Sequence, residues 1–275
     1  MRKLSRSVVD NAEENKMSFW SHLDELRKRI VNAAIAIGIG FVICFAWSEE
    51  ILGLLLLPMN ATIAFSLRFP FVAFTPNEAV QTLHFTSLTE PFMSHLKIGF
   101  IAGIMLMIPV LLRQVWLFIA PGLLPHERKY AGQFVFWATV FFAVGVLFCF
   151  LVLLPIAVPF LISYKAEHLT AIIKIGDYID FTLKFMLATG AVFELPLIMI
   201  LLGRMGIINV DSLTKFRKYA FLIAFIIGGL VTPTPDAFNM TIMSIPIYLL
   251  YELGILGVRI LGRPKAPGST SLTEI

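Results

Sequence analysis

The sequence predicts an all-α polytopic membrane protein with six transmembrane helices, and three observations lead to this fold class. Of the 275 residues, 58% are hydrophobic and 15% are charged, whereas a soluble domain carries about 25% charged residues. The apolar residues stand in long blocks, and a block of about 20 crosses the hydrocarbon core of a bilayer. The basic residues lie between these blocks, as in the loops of membrane proteins. The net charge of +4 therefore does not indicate binding to nucleic acid.

Six apolar blocks mark the spans. The predicted spans cover residues 30–47, 92–112, 132–158, 178–203, 219–235 and 237–257. Prolines interrupt several of them, so we expect kinked helices that form a curved concave wall rather than a parallel bundle. Spans five and six are expected to be short, since only the 13 apolar residues 219–231 precede a run of prolines. Thirteen helical residues rise about 20 Å, which is less than the hydrocarbon thickness.

The lysine and arginine residues orient the chain. With the amino terminus inside, 17 of the 22 basic residues lie on the inner side, which predicts that both termini are cytoplasmic. Residues 1–29 then form a cytoplasmic amino-terminal segment without features of a cleavable signal peptide. Residues 30–258 form a single membrane domain, and residues 259–275 form a cytoplasmic tail that we expect to be disordered.

The outer segment between spans one and two, about residues 48–91, is long for a connection. Its apolar residues 51–57 are too few to cross a membrane and are followed by Pro58. We expect a short helix at the outer interface that the proline ends. The mostly polar residues 75–90 are expected to cover the outer face as a cap.

Two clusters of acidic and basic residues lie on the predicted inner side. The first, residues 22–29, runs directly into span one. Its pairs Asp24–Lys28 and Glu25–Arg29 both have the four-residue spacing that brings side chains together on a helix. The second, residues 126–129, contains Glu127 at the entrance to span three. Each cluster on its own is explained by a solvated helix end whose basic residues anchor the span.

Glu194 is the most informative single residue. It lies ten positions before Arg204 at the inner end of span four, hence about 15 Å deep along the helix axis. An acidic residue near the bilayer midplane costs roughly 2.5–3.5 kcal/mol on insertion scales. A structural acid hydrogen-bonded to other helices is one interpretation, and a functional polar site inside the membrane is the favoured one.

Several other features argue against catalysis. The sequence contains no nucleophile-elbow, zinc-protease or phosphate-binding motif, and its histidines lack the spacing of metal ligands. We therefore expect no enzyme, no cofactor and no metal site. Glu252, near the inner end of span six, is explained by a side chain that reaches toward the interface, and we assign it no role.

Five motifs, in the same order along the chain, resemble the TatC family, the multispanning receptor of the twin-arginine protein translocase. They are His22-Leu-x-Glu-Leu-Arg-x-Arg29, Glu90-Pro-Phe92 with Lys97, Gln114-x-Trp-x-Phe-Ile-x-Pro-Gly-Leu123, Glu127, and Phe193-Glu-x-Pro196. The Thr-Pro-x-Pro-Asp236 turn between spans five and six is similar too. The resemblance covers about residues 17–260.

The resemblance implies a receptor in the plasma (inner) membrane that binds the twin-arginine signal peptides of folded cargo, in a translocase driven by the proton gradient. Glu25 and Glu127 match its recognition acids. A guanidinium pairs bidentately with a carboxylate, which a lysine ammonium does not reproduce, so adjacent arginines require two carboxylates on different segments. The resemblance also places at this site Leu26, Arg27, Gln114, Phe118 and Leu123, of which Phe118 and Leu123 form an apolar edge.

The resemblance further implies TatA- and TatB-like single-span partners, a homo-oligomer within the translocase, and a role for Glu194 as the intramembrane polar site. The residues that match the partner-helix contact are Thr232, Pro233, Asp236 and Met240. Those that match the outer cap and cavity are Pro58, Glu90, Phe92 and Lys97. Two departures weaken or move the partner contact: Thr234 is inserted in the turn, and Met240 stands where the family often has a glutamine.

Two other classes of protein remain open from the residues alone. A secondary transporter would use Glu194 as a proton or cation relay, but such proteins usually contain internal repeats, and none is visible between spans 1–3 and 4–6. A structural scaffold would explain the outer cap and span five, but not the two acidic clusters.

Overall fold

The protein is described by a computed structural model over residues 19–65, 72–76, 83–120, 131–163, 172–232 and 236–262. The first half contains α1 (Phe19–Ala46), α2 (Ser48–Leu55), α3 (Leu57–Asn60), β1 (Ala61–Phe65), β2 (Val72–Pro76), α4 (Glu90–Leu106) and α5 (Ile108–Ile119). The second half contains α6 (Ala131–Phe148), a π-helical turn (Cys149–Leu153), α7 (Leu154–Ser163), α8 (Ile175–Phe193), α9 (Leu195–Arg204), α10 (Val210–Val231) and α11 (Ala237–Leu261).

Most of the predicted spans correspond to helices that can cross a membrane. Within the described ranges, four segments are long and apolar enough, and α4 with α5 makes a fifth if this bent pair is one span. These segments coincide with predicted spans one to four and six. The helix at predicted span five, α10, is not among them, because its amino-terminal turns carry charged residues such as Asp211 and Lys215.

Two boundaries differ from the prediction. Helix α1 already includes Phe19, so residues 22–29 extend the first span as one continuous helix rather than preceding it. Helix α10 ends at Val231, four residues before the predicted end of span five.

The segment after span one, on the predicted outer side, departs from the all-α prediction. The words inner and outer denote the two sides predicted from the basic residues. Strands β1 and β2 pair antiparallel, with Ala61 opposite Pro76 and Phe65 opposite Val72. The sequence analysis predicted no strand here, although both segments contain the β-branched and aromatic residues that favour extended backbone. Periodicity over five residues is too short a signal to separate a strand from a loop.

The prediction that Pro58 ends a short outer helix was wrong. Helix α2 ends at Leu55, and Pro58 is the second residue of the four-residue helix α3. Proline is well tolerated in a first helical turn, since its missing N–H would have no partner there. Pro58 is buried, so it directs the chain along the outer face.

Glycines bring α1 and α4 into backbone contact. A Cβ atom on Gly103 would lie 2.6 Å from the backbone nitrogen of Phe41, and one on Gly40 would lie 2.5 Å from the carbonyl oxygen of Gly103. No side chain fits at this crossing without displacing backbone. The contact therefore fixes which levels of the two antiparallel helices face each other.

Span two bends by 54° between α4 and α5, with Pro109 in the first turn of α5. The outer half, α4, packs against α1 and α8, whereas the inner half, α5, packs against α1 and α6. Both halves of this bent span therefore contact α1, but the outer half also contacts α8 and the inner half also contacts α6.

Spans three and four are both interrupted near their middle. The π-helical turn precedes Pro155, and α8 gives way to α9 at Glu194, just before Pro196. The rings of Phe148 and Phe193 lie 5.5 Å apart, so the two interruptions are close to each other. A proline removes one helical hydrogen bond, which accounts for interruptions beside Pro155 and Pro196. The predicted kink is confirmed in span two, which bends by 54° next to Pro109.

The α1–α4 crossing can be tested by a larger side chain. Replacing Gly103 with Leu is expected to lower the free energy of unfolding by about 1–3 kcal/mol, the usual cost of overpacking. The matched control is Gly38→Leu, because a Cβ on Gly38 meets no atom within 4 Å. SDS-induced unfolding of the purified protein measures both, and equal effects of the two substitutions would contradict the contact.

Candidate functional site

The inner end of α1 presents a paired carboxylate. Arg29 Nη2 donates to Glu25 Oε1 at 2.9 Å, and the two side chains are only 22% and 17% exposed. The predicted Glu25–Arg29 pairing is therefore confirmed, whereas no ion pair joins Asp24 and Lys28 in the described part of the chain. Of the two carboxylate oxygens of Glu25, Oε1 makes this contact.

Helix α5 lies beside this part of α1. Gln114 and Phe118 lie on α5, and Glu25 lies on α1. Three of the predicted recognition residues thus come from two packed helices.

Aromatic packing holds α5 against the next span. Trp116 is buried, and its ring lies 4.6 Å from the ring of Phe134 on α6. This contact explains part of the aromatic stretch 114–123 as packing, because Trp116 points away from solvent. Phe118, two residues later, is half-buried.

Three buried polar atoms on α1 and α5 have no hydrogen-bond partner in the described part of the chain. They are Nε of Arg29, Oε1 of Gln114 and Nε1 of Trp116. An unpaired buried polar group costs stability.

The remaining predicted recognition residues are placed less completely. Leu26 is half-buried and Arg27 is exposed on α1. Glu127 and Leu123 lie outside the described residues, so their position relative to Glu25 stays a prediction.

The intramembrane carboxylate lies at the break between α8 and α9. Glu194 is 9% exposed, and its Oε1 has no hydrogen-bond partner among the described residues. Helix α9 runs ten residues from the break to Arg204, which agrees with the expected depth of about 15 Å. An unpaired carboxyl oxygen at this depth is a group that can accept a hydrogen bond from a partner or a water molecule.

At the outer face, Glu90 connects the two outer segments. Its Oε1 accepts from the backbone N–H of Gly176 at 3.1 Å, and its Oε2 accepts from that of Thr86 at 2.8 Å. The neighbouring cap residue Phe92 is 57% exposed. Glu90 therefore has a structural role in holding the cap, whereas Phe92 faces outward.

Sequence reasoning missed the partners of this cap. Lys97 on α4 pairs with Asp180 on α8 at 2.8 Å, and Tyr178 donates to the carbonyl oxygen of Leu55 at 2.6 Å. No motif marked Asp180 or Tyr178. The only signal that could have indicated them is their position near the start of span four, at the same end of the spans as Lys97.

The turn between α10 and α11 uses its polar residues internally. Thr232 is 4% exposed and donates to the carbonyl oxygen of Gly228, while Asp236 caps α11 by accepting from the backbone N–H of Asn239 at 2.8 Å. Met240 packs against Gly229, and Pro233 lies outside the described residues. The predicted partner-contact residues Thr232 and Asp236 therefore stabilise the turn itself.

Glu252 differs from its expected role. It was interpreted as a side chain that reaches toward the interface, but its Oε2 accepts from Arg217 Nη2 on α10 at 2.7 Å. Its Oε1 also accepts from the hydroxyl of Tyr248 at 3.1 Å. This acid connects two helices.

The fold and these sites define a multispanning helical membrane protein with polar groups at both ends of its spans and one buried carboxylate between them. Comparison with known proteins gives the family. The family model "Sec-independent protein translocase protein (TatC)" matches residues 21–246. The chain belongs to the TatC family.

Relatives agree over most of the chain. The TatC protein of Desulforapulum autotrophicum is 36% identical over 253 residues, which cover 92% of this chain and 88% of that protein. The TatC protein of Koribacter versatilis is 38% identical over 249 residues, covering 90% and 87%. A crystal structure of the twin-arginine translocase receptor TatC is 31% identical with a TM-score of 0.71, covering 88% of this chain and 100% of that chain.

The Lys97–Asp180 contact between spans two and four can be measured by a double-mutant cycle. Alanine substitutions at both positions are expected to show a coupling of about 0.2–1 kcal/mol, since the pair is partly exposed. The control cycle uses Lys184 with Asp180, because their atoms lie 3.5 Å apart and the Lys184 side chain is 59% exposed. SDS-induced unfolding gives both couplings, and a larger value for Lys184 would contradict this assignment.

Proposed function

We propose that this protein is the twin-arginine signal-peptide receptor and a core component of the translocase that exports folded proteins, driven by the proton gradient. The observation that carries the proposal is Glu25, a largely buried carboxylate at the inner end of α1, in a chain of the TatC family. Family membership favours this function over the secondary transporter and the scaffold.

The Glu25–Arg29 pair suits a site that selects arginine. Arg29 occupies one carboxylate oxygen, so a bound guanidinium is held by the other. The geometry of an arginine fork matches such a site, whereas a lysine offers a single point charge. Glu127 supplies the second carboxylate in this proposal, and Arg27 discourages the binding of other cations.

The apolar part of the signal peptide requires a separate surface. Phe118 is half-buried on α5, which packs against α1. We place the beginning of the hydrophobic region of the signal peptide on Phe118 and Leu123. Gln114, half-buried on α5, belongs to the polar part of the site in this proposal.

The topology belongs to the same proposal. Six spans, with α10 as the short fifth, would place both termini in the cytoplasm, and the family acts in the plasma (inner) membrane. TatA- and TatB-like single-span proteins would bind near the outer end of α10, with Met240 and the turn at 232–236 shaping that surface. Further copies of the chain would assemble in the translocase.

The first test is binding of a labelled Arg-Arg signal peptide and its Lys-Lys version to the protein in nanodiscs. Glu25→Gln is expected to weaken Arg-Arg binding by roughly 10–100-fold, because a hydrogen bond to a charged group contributes about 1.5–3 kcal/mol. Glu127→Gln is expected to behave alike. In both variants the preference for arginine should disappear.

The control for this experiment is Glu49→Gln, an exposed acid at the other end of the first span. It should bind the Arg-Arg peptide as the unmodified protein does. Equal binding of both peptides to the unmodified protein would contradict the receptor function. The acidic clusters would then be interpreted as membrane anchors.

The second test concerns Glu194. We expect Glu194→Ala to lose most export of a twin-arginine cargo while peptide binding persists, because the buried polar contact lies far from the inner face. Glu194→Gln should retain part of the activity, since its amide still forms hydrogen bonds. Export by Glu194→Ala equal to that of the reference variant Glu50→Ala, which changes an exposed acid, would contradict a role of Glu194 in export.

A further inference from the structure

Three charged side chains form a group between spans two and four at their predicted outer ends. Lys97 Nζ on α4 lies 2.8 Å from Asp180 Oδ1 on α8, and Lys184 Nζ lies 3.5 Å from Asp180 Oδ2. We call this group the charged triad. Lys97 and Asp180 suffice to join the two spans, whereas Lys184 is on the same helix as Asp180 and adds a second cation. The triad therefore has two positive charges and only one negative charge.

The lysines of the triad are open to the surroundings of the protein. The side chain of Lys184 is 59% exposed and that of Lys97 is 43% exposed. Met93 and Phe100 lie about one helical turn before and after Lys97, on the same face of α4, and both are about half exposed. Exposed apolar residues on a membrane span contact lipid, so the two ammonium groups lie at a surface that faces the bilayer.

The position of Lys184 along span four matches the level of the lipid head groups. Residues Ile175–Arg204 form one candidate span, and Glu194 is the only charged residue between Lys184 and Arg204. These two basic residues are separated by about 30 Å along the helix axis, which is the thickness of the hydrocarbon core. With Arg204 at one boundary of the core, Lys184 lies at the other, where the phosphate groups of the lipids are.

Span two places Lys97 at the same boundary. The residues from 98 to 112, between Lys97 and Arg113, are all uncharged. Since Lys97 and Lys184 share the carboxylate of Asp180, their ammonium groups are close enough for one phosphate group to contact both. A phosphate diester has two oxygen atoms that share its negative charge, and charged hydrogen bonds from ammonium groups to such oxygens are strong.

The other described acids and lysines at this end of the spans do not complete the triad. They are Glu49, Glu50, Glu90, Lys174 and Asp177. The two carboxylate oxygens of Glu90 accept from backbone N–H groups. Lys174 and Asp177 have opposite charges and lie about two turns or more from Lys184 along α8. In the described part of the chain, Asp180 is the only ion-pair partner of either lysine of the triad.

We propose that Lys97 and Lys184 bind the phosphate group of an anionic phospholipid, and that Asp180 holds the two lysines in place. A lipid is the source of the phosphate, because the ammonium groups lie at head-group level beside apolar side chains that face the bilayer. An anionic head group is preferred over a zwitterionic one, which brings its own cation close to the lysines. The site does not depend on the proposed receptor function, and only the name of the leaflet depends on the proposed topology.

The experiment detects lipid beside the triad in nanodiscs. Cys44 and Cys149 are replaced, and a fluorophore is attached to a cysteine introduced at Phe100. The nanodiscs consist of phosphatidylcholine with a small fraction of brominated lipid, either phosphatidylglycerol or phosphatidylcholine, whose bromine atoms quench the fluorophore. Stronger quenching by brominated phosphatidylglycerol at equal fraction measures local enrichment of the anionic lipid. A fluorophore at Leu230, exposed at the predicted outer end of α10, should report no enrichment.

Lys97→Gln and Lys184→Gln are each expected to lower the enrichment about fivefold, since a lysine near an anionic lipid contributes roughly 1 kcal/mol. Lys184→Arg should retain the enrichment, because arginine also binds phosphate. Lys174→Gln is the matched control, since it removes an exposed lysine of the same segment that lies outside the triad, and it should change nothing. Asp180→Asn should raise the enrichment, because it removes a negative charge beside the phosphate.

Equal enrichment in both glutamine variants of the triad and in Lys174→Gln would overturn the inference. So would a loss in Asp180→Asn as large as in the lysine variants, because the lysines would then act only as partners of Asp180. Loss of enrichment in Lys184→Arg would attribute the effect to disturbed packing and also reject the site. Inorganic phosphate should leave the enrichment as chloride of equal ionic strength does, and displacement by phosphate alone would indicate a site for small anions instead of a lipid.

Discussion

The bend in the second span decides which residues can meet at the inner face. Its outer half is fixed against α1 by contact between glycine backbones, where no side chain can intervene. Its inner half turns by 54° and packs on α6 through Trp116 and Phe134. The bend therefore lets one span stabilise the outer half of the protein while its other half builds a site with α1.

The breaks share a physical origin. In lipid every backbone group needs a partner, so a helix is interrupted only where other helices cover the gap. The interruption at Glu194 lies against span three near its π-helical turn, and the aromatic contact of Phe148 with Phe193 covers it. The buried carboxylate is therefore part of a packed break, and this position accounts for its low exposure.

The sequence predicted the helical class, most spans and the Glu25–Arg29 pairing, because long apolar blocks and four-residue spacing are local signals. It did not predict the partners of Lys97 and Glu252. Asp180 and Arg217 are distant in the chain, and each alone is explained as a polar residue near a span end. Pro58 was misjudged because a proline before a polar stretch can either end a helix or begin one. The second carboxylate of the site, Glu127, remains a prediction.

The ion pair at Glu25 also bears on how a ligand leaves. An empty receptor with an unpaired, largely buried carboxylate would be unstable and would hold any cation it captured. If Glu25 binds a signal-peptide arginine as proposed, Arg29 remains beside the carboxylate when that arginine departs, so the vacant site keeps its charge balanced. Departure then replaces one guanidinium contact by solvent and leaves no buried charge without a partner, which favours fast dissociation. Such kinetics suit a receptor that must release each cargo and accept the next.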